Sequence, residues 1–251
     1  MQQKLHAQME YIDLTLSTPA ENLALDEALL DLCDLGEIGD VLRFWESSQP
    51  FVVLGYGNHT DKEVNVDACA SAEIPILRRC TGGGTVLQGP GCLNYALVFR
   101  SDEHSEVENI SGTNRYIMSK HCALLRDLGF AVEVSGHTDL VLLGESSLKF
   151  SGNSQRRKRA AVLFHGTFLY NFDLRLIEQV LKLPSLQPGY RRNRSHLEFV
   201  RNIPLAAGAL ISAIQKSWDA FAKFGKVAPA VVLADELART KYNLSSWNRK
   251  L

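Results

Sequence analysis

The sequence predicts an α+β fold, a single domain over residues 1–251 with helices flanking a central sheet. Three observations carry that expectation. Short stretches that alternate apolar and polar residues recur along the chain, as half-buried strands do. Longer stretches with apolar residues three and four apart lie between them, as in amphipathic helices. No internal repeat, low-complexity linker or shift of composition divides the chain, and 251 residues at 45% apolar content are ample for a packed core.

Residues 11–14 read as the first strand. Thr18, Pro19 and Glu21 then announce a helix, with a hydroxyl cap, a proline where no N–H is needed and an early carboxylate. Leu23, Leu25, Ala28, Leu29 and Leu32 give it an apolar stripe as far as Cys33, and Asn22, Asp26 and Glu27 are expected on its solvated side. Residues 41–46 and 51–57 read as strands, and 62–71 as a helix. Strands over 74–79, 85–88 and 93–99, with glycine-rich corners between them, make a meander. Tyr116, Ile117, Cys122, Leu124 and Leu125 place a helix over 113–128, closed by Gly129.

Three strands follow, over 130–134, 139–143 and 148–151, with Gly152-Asn153 expected to break the last. Strand side chains alternate, so Leu148 and Phe150 face one way while Lys149 and Ser151 face the other. A lysine thus emerges on one defined face. Gln155-Arg156-Arg157-Lys158-Arg159 is either a solvated loop or a patch for an acidic partner. Residues 161–172 form a long half-buried strand, with Val162, Phe164 and Phe168 on one face and Leu163, His165 and Thr167 on the other. His165 is either a hydrogen-bonded structural histidine or part of a site. A helix over 174–181, an irregular loop over 184–193, an amphipathic helix over 205–224 and a helical tail over 234–242 complete the chain before Trp247-Asn248.

With 27 Lys and Arg against 28 Asp and Glu, the net charge is −1, so the broad basic field of a nucleic-acid binder is missing. Nothing points to a membrane. No apolar run reaches the roughly 18 residues of a spanning helix, and Met1 to Leu5 lack an apolar signal core; a cytoplasmic protein is expected. Cys33, Cys69, Cys80, Cys92 and Cys122 form neither a C-x-x-C pair nor zinc spacing, and buried free thiols are expected.

The run Arg78-Arg79-Cys80-Thr81-Gly82-Gly83-Gly84-Thr85 sits between two apolar stretches. Glycine loses the most backbone freedom on folding, so a triple run marks a sharp bend or a close approach of backbone to ligand. Two arginines, a hydroxyl and unobstructed N–H groups suit an anion. A tight hairpin with solvated arginines accounts for the same residues.

Taken together, the segments resemble the lipoate-protein ligase A family, in the form without a C-terminal accessory domain. The resemblance rests on Asn22-Leu23-Ala24-Leu25-Asp26-Glu27-Ala28, Leu42-Arg43-Phe44-Trp45-Glu46, Val52-Val53-Leu54-Gly55, the glycine loop from Arg78 to Val86, Ser135-Gly136-His137-Thr138-Asp139-Leu140-Val141, Lys149-Phe150-Ser151-Gly152-Asn153, His165-Gly166-Thr167-Phe168-Leu169 and Tyr190-Arg191-Arg192-Asn193-Arg194-Ser195-His196. Single pieces are weak signals, but their joint order and spacing are specific. The resemblance implies the catalytic-domain fold shared with biotin-protein ligases, with a mixed, largely antiparallel sheet. It also implies a two-step reaction, in which ATP activates lipoate or octanoate as an acyl-adenylate and a lysine of a lipoyl-domain carrier protein then takes the acyl group.

ATP and Mg2+ are the expected companions, and in some members a separate accessory chain takes part. The family pattern puts Lys149 at the acyl carboxylate and phosphate. It puts Arg79, Gly84, Thr85, Val86 and Leu87 at the nucleotide, Gly82, Gly83 and His165 with Lys149 at the acyl group, and Asp139 as a magnesium-binding or lysine-orienting carboxylate. The acyl chain is expected against Trp45, Val52 and Leu54, although core packing explains those three first.

Leu87-Gln88-Gly89-Pro90-Gly91-Cys92 departs from the family, where an aromatic residue and His-Asp are usual, which bears on substrate or carrier preference. The competing reading is an octanoyltransferase of the same superfamily, which works without ATP through a cysteine thioester and needs an activated thiolate. No cysteine stands in 134–139 or after Cys122, where such nucleophiles lie in the transferase groups, and Cys80 and Cys92 are expected to be packed. A non-catalytic binder of acylated carrier would not need the nucleotide cradle, and the loop of a biotin ligase is spelled differently.

Overall fold

The computed structural model describes residues 8–251; the stretch from Met1 to Leu5 that was read for a signal core lies outside the described residues. In chain order the elements are β1 (Glu10–Asp13), α1 (Pro19–Asp34), β2 (Val41–Trp45), β3 (Phe51–Leu54), α2 (Thr60–Glu63), α3 (Val66–Ser71), β4 (Ile76–Arg78), β5 (Val86–Gln88), β6 (Cys92–Arg100), α4 (Ile110–Asp127), β7 (Val132–Ser135), β8 (Asp139–Leu142), β9 (Leu148–Arg157), β10 (Ala161–Leu169), α5 (Arg175–Val180), α6 (His196–Phe199), α7 (Ala207–Trp218), β11 (Ala222–Lys223), α8 (Val227–Leu237) and α9 (Ser245–Asn248). An eight-stranded sheet runs β11-β1-β2-β6-β10-β9-β8-β7, and a three-stranded sheet runs β4-β3-β5. In the large sheet only β1 pairs in parallel, with β2 and β11, so the sheet is mixed and largely antiparallel as expected.

Alternation along the central strands builds two layers. Val41, Trp45, Ala96, Val98 and Leu163 point to the face covered by α1 and α8. Leu42, Phe44, Tyr95, Leu97, Val162, Phe164 and Phe168 point to the face covered by α4 and α7. The same rule puts Arg43 and His165 on the α1 face. The small sheet turns Val52, Leu54 and Leu87 into a third core with α3 and α5.

Helix α1 opens as its sequence demands, for Thr18 and Glu21 close a reciprocal capping box and Pro19 sits in the first turn. Its polar side is not solvated, however. Asn22, Asp26 and Glu27 are 1%, 2% and 5% exposed, because Arg43 meets the first two and Lys241 and Tyr242 meet Glu27. A helix buried all round can hold such groups only when they are paired.

Six further expectations change. The helix over 62–71 is two short ones, since Val64 is extended and bridges Leu181 while the Asn65 side chain caps α3. Strands β4 and β5 never pair; they flank β3, in parallel and antiparallel pairing respectively, so there is no meander. Strand β9 runs through Gly152-Asn153 to Arg157, because β10 pairs with it over that whole length. Arg156 and Arg157 there donate to the carbonyls of Cys80, Val107 and Glu108, so this part of the basic run is strand and engaged, while Lys158, paired with Asp31, and the exposed Arg159 form the turn into β10. Helix α7 stops at Trp218, followed by Asp219 in the left-handed region and by β11. The tail helix begins earlier than read, at Val227. Among the described residues no helix is long and apolar enough to cross a membrane.

Candidate active site

Because β4 and β5 lie on opposite sides of β3, the chain between them must cross the end of β3, and the glycine run makes that crossing. Gly55 leaves room for it. A Cβ at residue 55 would stand 2.1 Å from the Gly83 carbonyl oxygen. Arg78 is wholly buried and donates to the carbonyls of Gly55, Tyr56, Asn58, Trp247 and Asn248. Arg79 folds back on its own loop, donating to the Gly82 carbonyl at 2.5 Å and the Gly84 carbonyl at 2.8 Å. Burial lowers its pKa to about 10. Neither arginine is solvated, so the hairpin reading fails.

The loop forms one wall of a cavity of about 610 Å³, within the range of small-molecule sites. Arg79, Gly83, Gly84, Thr85, Val86, Leu87, Asp139, Lys149 and His165, all anticipated from the sequence, line it. Gly82 stands off the wall, its carbonyl taken by Arg79 and by the Ser154 hydroxyl. Strand β9 delivers Lys149 to the wall while Phe150 enters the core beneath. The lysine lies across Gly152, where a Cβ would stand 2.8 Å from Nζ.

Lys149 Nζ is 2.8 Å from Asp139 Oδ1, and Asp139 Oδ2 accepts from the Tyr190 hydroxyl at 2.7 Å. Burial, then Asp139, holds the Tyr190 proton well above its ordinary range. Asp139 therefore orients the lysine, with both its oxygens engaged. Magnesium usually takes one or two carboxylates plus phosphates. Among the described residues no group of three or more His, Cys, Asp or Glu side chains gathers to hold a metal. Each Asp139 oxygen keeps a lone pair beyond these contacts, so this single carboxylate could join phosphate oxygens and water around a magnesium ion.

On the α1 face a relay crosses four elements. Arg43 Nη1 is 2.6 Å from Asp26 Oδ1, Asp26 Oδ2 is 3.0 Å from His165 Nδ1, and His165 Nε2 is 2.7 Å from Thr81 Oγ1. His165 thus answers both readings, being hydrogen-bonded on each nitrogen and also on the cavity wall. Trp45 and Val53 reach the wall, whereas Val52 and Leu54 belong to the core beneath the small sheet.

All five cysteines are buried and free, and none lines the cavity. Burial raises every thiol. Cys33 and Cys80 go to about 12 and Cys92 higher still, while Cys69 and Cys122 also rise. Sequence reading missed Asp26, taken for a surface group, and Tyr190, which lay in a loop without periodicity. An arginine in the middle of an otherwise apolar strand, Arg43, was the one signal that a buried carboxylate had to exist.

The sequence model of the lipoyl protein ligase A/B catalytic domain matches residues 18–215. An octanoyltransferase LipM of Brevibacillus brevis is 24% identical over 276 residues, spanning 96% of this chain and 98% of that protein. The bipartite lipoate protein ligase of Thermoplasma acidophilum, from a structural study of that ligase and its E2 lipoyl domain, aligns with TM-score 0.79 and 25% identity over 97% of this chain and 96% of that one. A crystal structure of lipoate-protein ligase A bound with ATP aligns with TM-score 0.76 and 25% identity, over 98% and 99%.

Proposed function

This chain belongs to the lipoyl protein ligase A/B catalytic-domain family, and from that premise we propose that it is a lipoate-protein ligase, activating lipoate or octanoate with ATP and passing the acyl group to a lysine of a lipoyl carrier domain. One observation carries the choice within the family. The cavity pairs a glycine-loop wall with Lys149 and has no cysteine on it. A thioester route needs an accessible thiolate, and burial keeps these thiols protonated.

In the first step a carboxylate oxygen attacks the α-phosphorus, and the bond to the departing pyrophosphate breaks with its electron pair. Two anions must approach, so fixed positive charge at the meeting point is the main aid a protein can give. Lys149 supplies it. Asp139 and Tyr190 hold the ammonium in place, and the loop backbone from Gly83 to Leu87 offers N–H groups to the nucleotide. In the second step the carrier's lysine amine attacks the acyl carbon, AMP leaves, and the amine loses a proton. The enclosing walls keep water from the activated acyl group in between.

The test is exchange of labelled pyrophosphate into ATP in the presence of lipoate or octanoate, with and without an accessory chain. Exchange by the wild type, abolished in Lys149→Ala with the fold retained, is the expected result. No exchange under either condition would remove the ligase reading. The name of the Brevibacillus relative favours the second reading, an octanoyltransferase. Transfer from octanoyl-carrier without ATP, lost on replacing Cys80 or Cys92, would establish it instead.

A further inference from the structure

The Lys and Arg side chains on the cavity wall are Arg79, Lys149, Lys182 and Arg191. Three of them have partners. Arg79 donates to the loop carbonyls, Lys149 pairs with Asp139, and the Lys182 ammonium donates to the Asp61 carbonyl at 2.6 Å. Arg191 differs. It is 4% exposed, its Nε donates to the Arg194 carbonyl at 3.0 Å, and its Nη2 is buried without a hydrogen-bond partner among the described residues.

The surrounding chain holds this guanidinium firmly. Its central carbon lies 4.6 Å from the centroid of the Phe199 ring. Arg192 and Asn193 follow with φ of 54° and 57°, a left-handed pair unusual for an arginine. Gln187 grips Asn193 through two hydrogen bonds, and the Arg194 guanidinium donates to the carbonyls of Ser147, Tyr190 and Arg191. Tyr190, the residue before Arg191, reaches Asp139. One turn therefore both orients Lys149, through Asp139, and brings Arg191 to the same cavity.

Buried donors are normally satisfied, and a charged donor left unsatisfied in a cavity wall calls for an anion. The planar fork of a guanidinium suits phosphate oxygens better than the point charge of an ammonium does. In adenylation the charge not yet offset is that of the departing pyrophosphate, since Lys149 serves the meeting of carboxylate and phosphorus. We infer that Arg191 binds the pyrophosphoryl portion of the nucleotide, an inference that rests on the adenylating reading above.

Calorimetric titration tests it, with inorganic pyrophosphate, ATP and octanoate each added in magnesium buffer to wild type, R191M and R191K. Pyrophosphate and ATP are expected to bind about tenfold or more weakly to R191M, as loss of a charge-assisted hydrogen bond implies. R191K should fall between, and octanoate binding should not move. Thermal melts check that R191M folds, and R191K decides the matter where it does not. Pyrophosphate binding equal to wild type in the folded variants overturns the inference while leaving the ligase reading intact. Loss of octanoate binding instead would reassign Arg191 to the acyl carboxylate. A wild type that binds octanoate but neither ATP nor pyrophosphate fails the adenylating reading itself, and the inference with it.

Discussion

Replacing Asp26 by asparagine removes a negative charge from a place where solvent cannot substitute for it. Arg43 is wholly buried, Asp26 is 2% exposed, and their closest atoms are 2.6 Å apart. The other acceptors around Arg43 are neutral, namely the carbonyls of Leu14 and Asn22 and the Asn22 side-chain oxygen. Burial pulls the Arg43 pKa down, and Asp26 opposes that pull. Breaking a buried pair from one side costs ~3–5 kcal/mol, because the surviving charge is stranded. The amide oxygen of the Asp26→Asn variant would still accept from Nη1, so the lower end, about 3 kcal/mol, is expected. At ~2–4 °C per kcal/mol for a chain of this size, the melting temperature should fall by about 6–12 °C. Urea and thermal unfolding at neutral pH measure both quantities. A second variant, Asp26→Leu with Arg43→Met, should recover much of the loss, since removing both charges leaves neither unpaired. A loss below about 1 kcal/mol for Asp26→Asn, the worth of an exposed pair, would refute the buried relay.

Gly55→Ala is expected to dislodge the glycine loop, because its Cβ would meet the Gly83 carbonyl at 2.1 Å and the Asn58 side chain at 2.7 Å. Misplacement on the scale of an ångström costs about 10²-fold in rate, so kcat/KM for ATP should fall by that order. An unchanged kcat/KM for ATP would mean that the loop does not depend on this crossing. A separate prediction concerns acid. Burial, then Lys120, lowers the His121 pKa from 6.5 to about 3. The unfolded chain takes up this proton from pH 6.5 downward and the folded chain does not, so stability is full above 6.5 and is lost as pH falls toward 3. Each pH unit in that window costs up to about 1.4 kcal/mol. Urea midpoints at about pH 7, 6 and 5, which span the upper part of that window, should show a shallower decline in His121→Leu than in wild type, and equal declines would remove His121 as the cause.

The elements that could be read in the sequence are those whose signals are local. The capping box at Thr18, the alternation of β10 and the placement of Lys149 opposite Phe150 each follow from neighbours along the chain. What could not be read depends on partners far away. Glu27 looks like a surface residue until Lys241 and Tyr242, more than 200 positions on, cover it. Gly152-Asn153 looks like a strand end until β10 is laid beside it and pairs across the glycine. The meander reading failed for the same reason: nothing local to β4 and β5 reveals that β3 comes between them. At the site, the residues carried by the glycine loop and β9 were legible, whereas Asp26 and Tyr190 owe their roles to tertiary neighbours.

A run of three glycines would be expected to be loose, yet this one is anchored from four directions. The Arg78 backbone N–H and side chain tie the loop's start to Asn248 and Trp247, and Arg79 takes the carbonyls of Gly82 and Gly84. His165 holds the Thr81 hydroxyl from β10. Ser154 and Arg156 of β9 take the carbonyls of Gly82 and Cys80. Every one of these anchors reaches the loop without a side chain on Gly82, Gly83 or Gly84, so the three positions stay bare while their backbone is fixed. Ordering a flexible loop at the moment of binding would subtract from affinity, and N–H groups held in place beforehand do not reorganise when charge develops on a phosphate. Glycine here supplies close approach and the rest of the fold removes its freedom, the combination that the proposed nucleotide-binding role calls for.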